Sequence, residues 1–228
     1  MNGISAFAFD VYGTLIDTNG VLTKLQLYTG EQADSISAVW RAKQLEYSFR
    51  RGLMQQYVSF PEITAQALDF ALAAHHADLS PAERQDVINA YAHLPAFPDA
   101  EAALKALASG PITLFAFSNG PQAVVTQLLA QADILPYFKA VVSVESTRVF
   151  KPSPIVYQHF AAQAQQPLTE CALISGNPFD VLGAKGAGMK GIWAKRNPQA
   201  IFDRWEVAPD HTISSLEELI LAGLSAFC

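Results

Sequence analysis

Four short stretches in this 228-residue chain concentrate residue types that do chemistry: Asp10-Val11-Tyr12-Gly13-Thr14, Ser118-Asn119-Gly120, Lys151-Pro152, and Ser175 to Asp180. The four stretches lie at or after the carboxyl ends of short apolar runs, at 4–10, 111–120, 140–146 and 171–177. A carboxylate leaving such a run at a glycine turn has the form of a nucleophile. Gly13 permits tight backbone geometry, and Thr14 can orient one carboxylate oxygen. Ser118-Asn119-Gly120 precedes Pro121 at the start of a helical stretch, where backbone N–H groups and the helix dipole favour an anion. A Lys151 that reaches Asp10 would keep that carboxylate ionised. Each feature also has a plain structural reading. Turn amides can satisfy Asp10, Ser118-Asn119 and Asp180 can cap helices, and Lys151 can be a solvated loop lysine.

The apolar runs, with a further one at 191–196, alternate with helical stretches, which predicts an α/β fold with a doubly wound parallel sheet and a Rossmann-like core. Their apolar residues are consecutive rather than alternating, as expected of strands covered on both faces. No strand is expected between the first run and the second. Segments 21–29, 31–51, 61–77 and 81–94 all read as helices, so 16–97 is expected to be a helical cap domain and 1–15 with 98–228 the α/β core domain. An insert there sits above the carboxyl end of the first strand, where open α/β sheets bind ligands. Ser80-Pro81-Ala82-Glu83 and Ser214-Ser215-Leu216-Glu217 carry the capping-box pattern of helix starts.

Half of the residues are hydrophobic and 16% are charged, which gives ample surface for a core and excludes disorder. A net charge of −6 argues against a nucleic-acid or anionic-membrane partner. Cys171 and Cys228 are the only cysteines, so neither a disulfide framework nor a cysteine metal site is expected, in keeping with a reducing compartment. The opening MNGISAFAFDVYG has no basic segment, and Asp10 interrupts its apolar run; the expectation is a cytoplasmic protein without signal peptide or membrane span. The five histidines form no ligand-like group with a carboxylate, and none is assigned to catalysis.

Together, in this order and on these strand ends, the four stretches resemble the four motifs of the haloacid dehalogenase superfamily, and the helical insert resembles its cap. The superfamily contains many phosphatases. Those carry a second Asp two residues after the nucleophile, where this chain has Tyr12, and a magnesium-binding carboxylate at the position matching Ser175. With few oxygen ligands for a hard cation, phosphoryl transfer is disfavoured. A phosphatase, a hydrolase of another small activated acid and a binding protein that kept only the fold are the alternatives. The D-x-Y-G-T motif and the stretch Val39 to Ser48 instead resemble the L-2-haloacid dehalogenases, whose halide-binding arginine matches Arg41.

That resemblance implies a metal-free and cofactor-free hydrolase of carbon–halide bonds. Asp10 attacks C2 of a small L-2-haloacid to form an aspartyl ester, and the halide leaves towards Arg41 and Asn119. Water held by Asp180, with Ser175 and Asn177 positioning the surrounding groups, then releases a D-2-hydroxy acid. Lys151, Thr14 and Tyr157 orient or stabilise the nucleophile. Ser118 and the main-chain amides after Asp10, beginning at Val11, bind the substrate carboxylate. Tyr12, Leu45, Phe60 and Phe179 form an apolar wall. A homodimer is implied. The chain departs from the family pattern at Ala42, Pro61, Gly176 and Pro178, which bears on pocket shape and halogen preference.

Overall fold

A computed structural model of the chain describes residues 3–221, so Cys228 lies outside the described residues. The apolar runs form parallel strands β1 (Ala6–Asp10), β2 (Thr113–Ser118), β3 (Ala140–Ser143), β4 (Cys171–Ser175) and β5 (Lys190–Ala194). A sixth, β6 (His211–Ile213), extends the sheet beside β5 in the order β3-β2-β1-β4-β5-β6. It was not expected from the sequence, because three residues with two exposed carry no apolar run to read. The strand order reverses between β1 and β4, so Asp10 and Ser175 end neighbouring strands at the switch point, where such sheets open a crevice.

Both faces of the sheet are covered, which is why its strands are apolar at consecutive positions. Phe7 and Phe9 pack on one face with Leu104 of α5 (Ala100–Ala108), Leu128 of α6 (Gln122–Gln131) and Leu219 of α9 (Glu218–Leu221). Ala6 and Ala8 point to the other face, against Val156 and Phe160 of α7 (Pro154–Ala164) and Ala184 of α8 (Pro178–Ala187).

Between β1 and β2 the described chain is helical: α1 (Asn19–Thr29), α2 (Ala33–Met54), α3 (Phe60–Ala74) and α4 (Pro81–Asn89), followed by a 3-10 turn at 90–93. The Ser59 hydroxyl accepts the Glu62 N–H to start α3, and Ser80 with Glu83 forms the expected reciprocal capping box of α4. The second capping-box expectation is corrected. Glu218, not Glu217, accepts the N–H groups of Ser214 and Ser215, and α9 begins at Glu218. Trp40 of α2 is buried and donates its indole N–H to the Thr64 carbonyl of α3 at 2.8 Å. The helical segment leaves and rejoins the sheet through a narrow neck. Ile16 pairs with Ala96, Phe97 N–H donates to Leu15 O at 2.8 Å, and Asp17 N–H donates to Pro95 O at 2.9 Å.

Candidate active site

Asp10 ends β1 with its carboxylate nearly buried, and its two oxygens are held unequally. Oδ2 accepts three donors: the Thr14 hydroxyl at 2.8 Å, the Asn177 side-chain amide at 2.8 Å and the Ser175 hydroxyl at 3.2 Å. Among the described residues, Oδ1 accepts only Lys151 Nζ, at 3.2 Å. The Thr14 hydroxyl is itself fixed by accepting the Gly176 N–H at 2.8 Å, and Gly13 adopts the positive φ of 76° that the turn requires. One oxygen is therefore an anchor and the other faces a single cation.

Lys151 Nζ lies between two carboxylates. It donates to Asp10, to Asp180 Oδ2 at 2.9 Å and to the Phe117 carbonyl at 2.9 Å, and it stands 4.1 Å from the centre of the Phe117 ring. Burial alone would lower the ammonium pKa, but the negative charges of Asp10 and Asp180 outweigh it and hold the pKa above the ordinary lysine value. Lys151 is thus a fixed positive charge. Asp180 shifts the other way from a typical paired acid. Its complete burial, aided by the charge of Asp10, raises its pKa against the opposing pull of Lys151 and of the Tyr157 hydroxyl. Tyr157 donates to Asp180 Oδ1 at 2.7 Å; burial pushes its own pKa well above the phenol range, so it remains a donor.

Arg41, on α2, reaches across to the sheet and donates to Asn177 Oδ1 at 3.0 Å. Above Asp10 opens a cavity of about 220 Å³, lined by Arg41, Ser118, Asn119, Lys151 and Asn177 among mainly apolar neighbours, including Tyr12, Leu45, Phe60 and Phe179. Asn119 spends its side-chain carbonyl on the Lys151 N–H at 3.0 Å and leaves its amide to the cavity. Ser118 Oγ accepts the Gly120 N–H at 3.1 Å. Burial, reinforced by Tyr91, pushes the Tyr12 phenol up to about 12, so it is un-ionised at any physiological pH.

All fifteen residues picked from the sequence fall in or directly beneath this site, with three differences of detail. Tyr157 touches Asp180 rather than Asp10, so it supports the second carboxylate. Ser175 and Asn177 both hold Asp10 directly. Val11 packs its side chain in the core and does not line the cavity, leaving only its main chain near the carboxylate. The capping readings of Asp180 and Ser118 also give way: Asp180 sits in the first turn of α8 bound to Lys151, and neither α6 nor α8 has a side-chain cap.

A polar trio in the wall was missed. Tyr91 donates to Gln44 Oε1 at 3.3 Å, and the Gln44 amide donates to Thr64 Oγ1 at 3.0 Å; all three line the cavity. Gln44 and Leu45 follow Arg41 by three and four positions on one helix, so Gln44 was findable by that spacing. Tyr91 and Thr64 gave no such signal.

The family model for haloacid dehalogenase-like hydrolases matches residues 4–188. The chain belongs to that family. Among these haloacid dehalogenase-like hydrolases, it is 35% identical over 219 residues to (S)-2-haloacid dehalogenase 2 of Pseudomonas sp. (strain CBS-3), covering 96% of this chain and 95% of that one. It is 32% identical over 220 residues to haloacetate dehalogenase H-2 of Moraxella sp. (strain B), covering 96% and 98%. The structure of the L-2-haloacid dehalogenase of Xanthobacter autotrophicus with chloropropionic acid covalently bound superposes with a TM-score of 0.89 at 31% identity, covering 96% of this chain and 98% of that one.

Proposed function

We propose that this chain is an (S)-2-haloacid dehalogenase that hydrolyses small L-2-haloalkanoic acids to D-2-hydroxy acids with inversion at C2. The observation that carries this reading is the unequal grip on Asp10 beneath a largely apolar cavity. Three donors withdraw electron density from Oδ2 and fix its position, which leaves Oδ1 as the oxygen that attacks. Oδ1 forms a bond to C2 from the face opposite the halogen, and the carbon–halogen pair of electrons departs with the halide. That step needs no proton on the leaving group, which suits a phenol that stays un-ionised at Tyr12. The halide is received by Arg41 and the free amide of Asn119. Ser118 and main-chain N–H groups after Asp10 hold the substrate carboxylate. The apolar wall strips water from a carboxylate that is a weak nucleophile in bulk solution.

Esterification removes the charge of Asp10, so Lys151 is left paired with Asp180 alone. Water then attacks the ester carbonyl and gives one proton to Asp180; the Cγ–Oδ1 bond of Asp10 breaks, the departing alkoxide takes the second proton of that water and leaves as the hydroxy acid, and Asp10 is a carboxylate again once Asp180 has passed its proton to solvent. A buried carboxylate with a raised pKa is suited to accept that proton. Residues 16–97 act as the cap that closes the cavity, and 1–15 with 98–228 carry the nucleophile. The exposed Leu53 and Met54 of α2 and Phe70 of α3 support a homodimer through the helical insert, and the free buried thiol of Cys171 suits a cytoplasmic site. Among the described residues no helix is long and apolar enough to cross a membrane.

Halide release from the two enantiomers of 2-chloropropionate, with chelator present, tests this reading. Strong preference for the L enantiomer, lost in Asp10→Ala, is the expected result. Equal release from both enantiomers, or release that survives Asp10→Ala, contradicts it.

A further inference from the structure

Arg196 follows β5 at the carboxyl edge of the sheet, outside the cavity, and its guanidinium grips both strands of the neck. Nε and Nη2 donate to the Thr14 carbonyl at 3.0 and 2.7 Å. Nη1 donates to Asp99 Oδ2 at 2.6 Å, and the guanidinium carbon stands 4.3 Å from the centre of the Phe97 ring. Thr14 lies on the outgoing strand, Phe97 and Asp99 on the returning one. Asp99 is itself anchored, because Oδ2 also accepts the Ser215 hydroxyl at 3.0 Å and the Leu216 N–H at 2.8 Å. The pair is shielded from water, with 13% of the Arg196 side chain and 16% of the Asp99 side chain exposed. A planar fork of donors suits this task, since it holds a carbonyl and a carboxylate at fixed angles that a lysine cannot reproduce.

We propose that Arg196 is a positioning residue for Asp10: it clamps the Thr14 carbonyl against Asp99 and Phe97 and so fixes the turn from which the Thr14 hydroxyl holds Oδ2. The proposal rests on the reading of Asp10 as the nucleophile. The link runs from Arg196 to the Thr14 carbonyl, and from the Thr14 hydroxyl to Asp10 at 2.8 Å. Loosening the turn lets the carboxylate rotate, and Oδ1 no longer lies on the line of back-side attack. Misplacement of about 1 Å costs on the order of a hundredfold in such a step. Arg196 touches no reacting atom, so its loss is expected in the rate of ester formation and not in substrate affinity.

The test is a double-mutant cycle with Thr14→Ala. The readout is the single-turnover rate of halide release from L-2-chloropropionate with enzyme in excess, which reports Asp10 esterification whether or not the ester persists, followed over hours so that slow variants register, with KM and melting temperature alongside. Arg196→Ala is expected to slow esterification about tenfold or more and to leave KM within about twofold. In the Thr14→Ala background the same change is expected to cost less than about twofold, because the route to Asp10 is already cut. Arg196→Lys keeps a charge for Asp99 but not the fork on Thr14; it is expected to retain most of the melting temperature yet show a comparable loss of rate, and it replaces Arg196→Ala in the cycle should that variant not fold. Equal fractional losses in both backgrounds, or wild-type rates in both Arg196 variants, overturn the clamp. An Asp180→Asn chain that releases halide yet traps no ester on Asp10 overturns the reading of Asp10 and the clamp with it.

Discussion

Arg41 and Asp10 do not touch; Asn177 joins them, accepting from Arg41 through Oδ1 at 3.0 Å and donating to Asp10 Oδ2 through Nδ2 at 2.8 Å. One amide therefore ties the helical insert to the carboxylate at the end of β1. An amide is suited to this because it offers an acceptor and two donors on one rigid plane, and the second donor is spent on the Tyr12 carbonyl at 3.3 Å.

Replacing Asn177 by Ala removes both contacts at once. The expected outcome is a fall in kcat of about a hundredfold, through a loosened nucleophile, together with a rise in KM through a loosened Arg41. Steady-state kinetics on L-2-chloropropionate checks it, and a change in one parameter alone counts against the bridging role.

Lys151→Met leaves Asp10 and Asp180 without the cation they share. Breaking a buried ion pair from one side costs about 3–5 kcal/mol, so a large drop in melting temperature should accompany the loss of activity. The sign with pH follows from the directions of the shifts. Lys151 has its pKa raised on folding, so its contribution is fully present below the ordinary lysine value of 10.5 and is lost as pH rises through the higher folded value. The difference in stability between wild type and Lys151→Met should therefore narrow in strongly alkaline solution. Asp180 has a raised pKa, which means that ionising it opposes folding. With the cation gone, the variant should become more stable as pH is lowered. Thermal melts across pH read both trends.

Asp180→Asn separates the two chemical steps. On the proposed mechanism ester formation does not use Asp180 as an acid or base and should continue, whereas hydrolysis should slow by about a hundredfold or more for want of a proton acceptor. Mass spectrometry of the variant after incubation with substrate should show a persistent adduct on Asp10. In the wild type, hydrolysis by this mechanism requires Asp180 ionised, so kcat should fall in acid; the burial that raises the Asp180 pKa persists in the ester, whereas the contribution of the Asp10 charge does not.

Gly176 is fixed by close approach of backbone. A Cβ built there would sit 2.2 Å from the Gly13 carbonyl oxygen, so Gly176→Ala forces the two loops apart. Overpacking of this kind costs about 1–3 kcal/mol, and activity should fall because the Gly176 N–H holds the Thr14 hydroxyl. Gly186, within α8, has open space around its Cβ position, so Gly186→Ala should be neutral or stabilising by about 0.5–1 kcal/mol. The pair of variants, compared by melting temperature and kcat, separates the contact from a general intolerance of the sequence.

The strand ends were legible because strands covered on both faces are apolar without a break, so the first polar residue after each run marks the crevice. Asp10, Ser118 and Ser175 end β1, β2 and β4 and converge for that reason, whereas Lys151 is carried in by the loop that follows β3. The particular partners were not legible. Whether Tyr157 meets Asp10 or Asp180 depends on how α7 and α8 cross, and Gly183, whose Cβ would lie 2.4 Å from the Tyr157 hydroxyl, is what lets that hydroxyl in. The wall trio of Gln44, Thr64 and Tyr91 comes from three different places in the helical insert, and helical spacing assigns such residues to packing until the helices are seen side by side. Arg196 was invisible for a similar reason: its partners Thr14 and Asp99 stand 182 and 97 positions away.

The most direct measurement is a single turnover of L-2-chloropropionate in oxygen-18 water with enzyme in excess. If Asp10 forms an ester that water opens at its carbonyl, the D-lactate released in that first turnover carries unlabelled oxygen from Asp10, and the label appears in the protein. Oxygen-18 in the hydroxyl of first-turnover D-lactate, with Asp10 unlabelled, would mean that water attacks C2 directly and would contradict the account.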